Sequence, residues 1–308
     1  MTHTRYTGLH TRLMGTRHLA RLAAGITAGW VLGGLLGCAG VPAAMPAAVA
    51  TAQAPAGGTQ GHALVHTPDS ARQVMARAML VLPARATGGA VYAGTLVQAP
   101  THVHARVPVV VFMHGSSGLG LKAIGEWQLW LAEQGIASVA PDSFALPDRL
   151  TYQSPISPDV YEQVHALRLS EVALAVKAVQ AAPWADTARL VLAGTSEGAV
   201  PVARYRGNEF AGRILFAWSC ENNYFVRQHD TALPADKPVL AVISLADPYF
   251  SPGNTWLGNP DAKGHCGAAL KDHRHASVVL VPGAPHTLLN MPAARQPVAG
   301  FLKDVLKP

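Results

Sequence analysis

The stretch "RLVLAGTSEGAV", residues 189–200, runs from apolar and β-branched residues into two glycines that straddle a serine. Its first half reads as a buried strand, and its second half as a tight turn into a helix. A residue at the apex of such a turn takes a strained backbone conformation that lifts its side chain clear of the sheet. The positions two before and two after are then crowded, and glycine relieves the crowding. Ser196 between Gly194 and Gly198 fits that geometry, and the backbone N–H of the next residue, Glu197, is aimed at the same point. Pro201 is the discordant residue, because it falls early in the expected helix and removes a backbone donor there.

Outward from this turn, short apolar runs alternate with longer helical patterns. That alternation predicts an α/β fold with a mostly parallel central sheet of about eight strands and helices on both faces. "MLVLPA" and "AVYAGTLV" open the fold as an antiparallel pair from about residue 78. "VPVVVFMHG" (107–115) is a nearly continuous apolar strand, followed by a helix over "AIGEWQLWLAEQG" and a strand at "IASVAPD". A segment rich in Pro and Ser, 143–158, leads into a long helix on which Val160, Val164, Leu167, Val172, Val176 and Val179 trace one face, and Pro183 stops it. Strands follow at "RLVLAG", "RILFAWSC", "PVLAVISLAD" and "SVVLVPG". A last helix, "QPVAGFLKDVL", opens with Pro297 as a first-turn residue.

A serine hydroxyl is a poor nucleophile until a base takes its proton, so Ser196 calls for a histidine, itself oriented by a carboxylate. "LADPYF" puts Asp247 at the carboxyl end of one strand, and "VPGAPHTLL" puts His286 just past the next. Both lie at the sheet edge that carries Ser196, where open α/β sheets bind ligands. Glu221, after the preceding strand, is the alternative acid. Asp142 reads as a structural loop residue.

"HGSSG" (114–118), "GTSEG" (194–198), Asp247 and His286 together resemble the α/β-hydrolase superfamily over about residues 78–308. "PDSF" (141–144) and the long helix before the turn resemble its dienelactone-hydrolase-like branch. The resemblance implies a serine, acid, histidine order in the chain, with Ser196 attacking, His286 moving the proton and Asp247 orienting His286. It also implies an oxyanion held by the N–H groups of Ser116 and Glu197, with His114 bracing the loop. Dienelactone hydrolases proper carry cysteine at the turn, so Ser196 points to general ester chemistry. The expected activity is hydrolysis of small to medium carboxylic esters through an acyl-enzyme, with no cofactor and no metal. Acyl transfer on the same machinery and a catalytically silent envelope binding protein are the alternatives. Tyr249, Phe250 and Trp256 either line the pocket or pack beneath its loop.

The chain has 308 residues, 49% of them hydrophobic, enough for one large core. The formal charge is +6, but Arg5, Arg12, Arg17 and Arg21 stand in the first 37 residues with no acid among them. The rest is nearly balanced, which excludes nucleic acid as the implied partner. The basic start and the apolar run from Leu22 read as an export signal over 1–37. "LLGC" (35–38) resembles the bacterial lipobox, which implies lipidation of Cys38, a membrane anchor, and a location in the bacterial envelope outside the cytoplasm. The alternative is an ordinary signal cut later, with Cys38 discarded. Residues 38–61 read as an Ala/Pro-rich tether, and 62–308 as the hydrolase domain. Cys220 and Cys266 then remain as an even pair in an oxidising compartment, which predicts a disulfide, with two free thiols as the alternative. "GHCGAALKDHRH" (264–275) gathers histidines but matches no metal-ligand spacing.

Overall fold

The structure is a computed structural model, and it describes residues 55–307. The expected signal segment over 1–37, Cys38 and most of the expected tether lie outside the described residues. The elements run β1 (Gly58–Gln60), α1 (Pro68–Ala76), β2 (Met79–Leu82), α2 (Ala84–Thr87), β3 (Tyr92–Thr95), β4 (Val107–Met113), α3 (Lys122–Glu133) and β5 (Ala137–Ala140). They continue with β6 (Thr151–Gln153), α4 (Pro158–Ala181), β7 (Ala185–Thr195), α5 (Ala199–Arg204), β8 (Gly212–Phe216), β9 (Val239–Ser244), β10 (Ala276–Val281) and α6 (Pro292–Val305).

Eight strands form one sheet in the order β3-β2-β5-β4-β7-β8-β9-β10. β2 is antiparallel to both its neighbours, and every other pairing is parallel. This is the mostly parallel, two-faced sheet that the α/β-hydrolase resemblance implies.

Side chains alternate across the sheet and feed two cores. Val109, Val111 and Met113 of β4 pack with Val172, Ala175, Val176 and Val179 of α4 and Val202 of α5. Val110 and Phe112 point the other way, into a core built on Ile124, Trp127 and Leu131 of α3 and Val298 and Leu302 of α6. Because helices cover both faces, the central strands are apolar throughout rather than alternating. That is why "VPVVVF" and "RLVLAG" read as continuous runs.

Three boundaries differ from expectation. α1 precedes the first predicted strand. Thr67 caps it reciprocally with Ser70, Pro68 sits in its first turn, and Val74 and Met75 are buried. α6 begins at Pro292, not at Pro297; Pro297 falls in its second turn, where its missing donor costs a single bond. The third concerns the expected tether. Gly58–Gln60 already form β1, which pairs antiparallel with β6 in a separate two-stranded sheet.

Candidate active site

β7 ends at Thr195, and the chain turns through a single 3-10 turn, Ser196–Gly198, before α5. Ser196 has φ 55°, the left-handed region that a side chain rarely occupies and that costs about 1–3 kcal/mol. The glycines are needed for separate reasons. A Cβ on Gly194 would lie 2.2 Å from the Gly198 carbonyl oxygen, within the turn. One on Gly198 would lie 2.1 Å from the carbonyl oxygen of Met113, on the neighbouring strand β4. The 3-10 turn also removes the objection to Pro201: it is the third residue of α5, where the first turn has no use for its donor.

Asp247 follows β9 and His286 follows β10, and the two meet. His286 Nδ1 lies 2.7 Å from Asp247 Oδ2, and the carboxylate is fully buried. The other oxygen, Oδ1, accepts the backbone N–H groups of Tyr249 and Phe250 at 2.9 and 3.1 Å. With Nδ1–H donated to Asp247, Nε2 is the ring nitrogen left as proton acceptor. The Tyr249 ring meets the imidazole edge-on, with centroids 4.7 Å apart.

Ser196 and His286 line one cavity of about 360 Å³. Ser116 and Ser117 of the "HGSSG" loop line it too, and that loop is closed by the Gly118 N–H donating to the Gly115 carbonyl. His114 is buried beneath the loop, donating Nδ1–H to the Gly115 carbonyl at 2.7 Å and accepting the Ser143 N–H at Nε2. Burial, and then the neighbouring Arg168, hold its pKa well below the usual histidine range, so it braces the loop as a neutral ring. Asp142 caps the Phe144 N–H and faces Arg77. The carboxylate of Glu221, the alternative acid, accepts the Lys263 and Gly264 N–H groups, whereas it is Asp247 that bonds His286.

Behind Ser196 stands a buried cluster in which Glu197, expected only as a backbone donor, joins Arg149, Tyr152, Arg168 and Glu171, for which the sequence suggested no role. The Glu197 side chain is fully buried, with Oε1 at 2.8 Å from Arg149 Nη2 and 3.2 Å from Arg168 Nε. Oε2 accepts the Tyr152 hydroxyl at 2.8 Å. Arg168 also pairs with Glu171 and donates to the His114 carbonyl, while Glu171 accepts the Ser143 hydroxyl. Burial pushes the Glu197 carboxyl up, but Arg149 and Arg168 outweigh it, and the pKa ends below the usual carboxylate range. Tyr152 is driven the other way, by burial first and then by the Glu197 charge, so it stays a phenol and a donor. A charged residue on the apolar stripe of α4, Arg168 four residues from both Val164 and Val172, is the signal that could have revealed the cluster.

Cys220 and Cys266 form a disulfide that ties the end of the β8 region to the loop beyond Asp247. Among the described residues, no three His, Cys, Asp or Glu side chains converge as a metal-binding set. Of the three aromatic residues near the mouth, Tyr249 and Phe250 line the cavity, whereas Trp256 packs behind Tyr224, with ring centroids 4.5 Å apart.

No family model matches the chain, and no curated protein matches it. Solved structures that it resembles include Est1E from Butyrivibrio proteoclasticus, at 16% identity and a TM-score of 0.46 over 74% of this chain and 93% of that one. A cold-adapted esterase from an Arctic intertidal metagenomic library is 15% identical, with a TM-score of 0.47 over 70% of this chain and 88% of that one. A dienelactone hydrolase-like promiscuous phosphotriesterase from metagenomic libraries is 16% identical, with a TM-score of 0.46 over 70% and 90%.

Proposed function

We propose that the protein is a serine hydrolase of carboxylic esters, with Ser196 as nucleophile, His286 as general base and acid, and Asp247 as its orienting partner. The observation that carries this reading is the 2.7 Å contact between His286 and the buried Asp247, at the wall of the cavity lined by the strained Ser196. In the proposed cycle, Ser196 Oγ attacks the ester carbonyl carbon as His286 Nε2 takes its proton. The N–H groups of Glu197 and Ser116 hold the oxyanion, and losing one such donor typically costs about 3 kcal/mol. The C–O bond to the alcohol then breaks, and His286 returns the proton to the leaving oxygen. Water, deprotonated by the same nitrogen, attacks the acyl-enzyme and releases the acid and free Ser196.

Ser196→Ala is expected to abolish turnover of p-nitrophenyl esters, by at least about a thousandfold in kcat, while the circular dichroism spectrum stays unchanged. A fluorophosphonate should label the native chain at Ser196 and leave the variant unlabelled. Undiminished turnover in the variant would refute the assignment, and a native chain that resists labelling would favour the silent binding protein. Ester products formed when an alcohol competes with water would identify acyl transfer on the same residues.

The same proposal places the protein in the bacterial envelope, exported and lipid-anchored at Cys38. The disulfide supports an oxidising compartment, and no helix among the described residues is long and apolar enough to cross a membrane. Cells fed a clickable palmitate analogue should label the native chain, and Cys38→Ser should remove the label and release the protein from the membrane fraction. Equal labelling of both would contradict the anchor.

A further inference from the structure

Among the described residues, the cavity beside Ser196 is lined by no Lys, Arg, Asp or Glu. Its volume of about 360 Å³ sits at the small end of the roughly 300–1,000 Å³ range of ligand sites. Five aromatic side chains form much of its wall: Tyr152, Tyr224, Phe225, Tyr249 and Phe250. They are packed on one another and on a second tier. The Tyr224 and Phe250 rings lie within 13° of parallel, Phe225 meets Phe250 at 65°, and Trp256 buttresses Tyr224 from behind. Tyr161 meets both Tyr152 and Phe225 edge-on from behind, with centroids 5.1 and 4.6 Å away. A wall held in this way presents fixed ring faces and edges, and an aromatic guest gains from their quadrupoles beyond what its apolar area alone provides.

The electrostatics favour neutral guests. Behind Tyr152 and Ser196, the buried charges Arg149, Arg168, Glu171 and Glu197 form a cluster of two cations and two anions already paired with one another. They leave no guanidinium free for an incoming carboxylate. The carboxylate of Asp247 is bonded to the imidazole on the cavity wall and opposes a second anion. A substrate carboxylate entering the cavity would lose hydration and find no counter-ion. Apart from the His286 imidazole, already bonded to Asp247, the polar side chains of the lining, including Ser117, Gln153, Ser154 and Thr287, are uncharged hydroxyl and amide groups.

We infer that the cavity selects uncharged esters bearing a single aromatic ring and discriminates against esters that carry a free carboxylate. The inference rests on the esterase reading of Ser196 and adds the substrate class to it. The test measures kcat/KM by acid release in a pH-stat for matched esters. Ethyl phenylacetate is compared with ethyl cyclohexylacetate, benzyl acetate with cyclohexylmethyl acetate, and diethyl glutarate with monoethyl glutarate. The ring should favour the phenyl member of at least one pair by about fivefold or more, and the diester should exceed the monoester by about tenfold or more. Gln153→Arg, which brings a cation to the lining, should narrow the gap between diester and monoester. Monoester turnover equal to that of the diester, or cyclohexyl members equal to phenyl members in both pairs, would overturn the inference. If Ser196→Ala still abolishes turnover in that case, the esterase reading stands alone. No turnover of any of these esters by the folded chain would remove both.

Discussion

Glu197 is placed where a charge is hard to keep. It follows the strained Ser196, is wholly buried, and is held by Arg149, Arg168 and Tyr152. Its side chain thereby fixes the peptide whose N–H is proposed to face the oxyanion. Glu197→Ala would leave two buried guanidiniums short of a partner, and the expected loss is about 3–5 kcal/mol. A urea titration reads this directly, and a loss below about 1 kcal/mol would show that the cluster does not hold the turn. The depressed carboxyl pKa has a defined sign. Its contribution is fully present above the unfolded carboxylate value, near about 4.3, and is lost as pH falls through the lower folded value. Glu197 is visible in "GTSEG" only as a backbone donor. Its partner Arg149 lies 48 residues away in an irregular segment, and no local periodicity marks such a pairing. Ser196, Asp247 and His286 were legible because each follows an apolar strand, and strand ends are the features that periodicity shows best.

The strand-turn-helix unit built on β7 and α5 tolerates no side chain at its two glycines. In Gly198→Ala the added methyl would meet the Met113 carbonyl, so β4 and β7 would have to separate at the edge that carries the site. Backbone cannot yield as a flexible side chain can, and a cost of about 3 kcal/mol, the upper part of the usual range for overpacking, is expected. Thermal unfolding should reveal it, together with weakened fluorophosphonate labelling of Ser196; a variant as stable as the parent would mean that the strands part without penalty. The central strands and α3 and α4 were readable because burial on both faces leaves long apolar runs and helical stripes. α1, β1 and β6 were not. β1 and β6 are three residues each, β1 exposed throughout and β6 no more than half-buried, so they carry no alternation to read. The first turn of α6 was hidden because two prolines, Pro292 and Pro297, both look like helix openers.

The fold as a whole is sensitive to acid through buried histidines. Burial pushes His165 down to about 4, while its bond to the Phe225 carbonyl and the neighbouring Glu162 partly oppose the nearby Arg204. The unfolded chain binds that proton near pH 6.5 and the folded chain does not. Stability is therefore full above pH 6.5 and declines as pH falls toward 4, by about 3 kcal/mol for this residue. His165→Gln, which can keep the bond to Phe225, should flatten the dependence of the urea midpoint on pH across that window, and an unchanged slope would assign the effect elsewhere. The Cys220–Cys266 bond spans 46 residues, and replacing both cysteines with alanine should cost about 2–4 kcal/mol. An equal midpoint with and without the bond would deny it a role in stability. One consequence reaches the site from the far end of the chain. Among the described residues, β6 has β1 as its only paired strand, and β6 carries Tyr152, the phenol that clasps Glu197. Clipping the polypeptide just after Gly61 would remove no residue of the cavity wall, yet it would unzip the ribbon that steadies one side of it, so a protease nick outside the hydrolytic centre could loosen that centre.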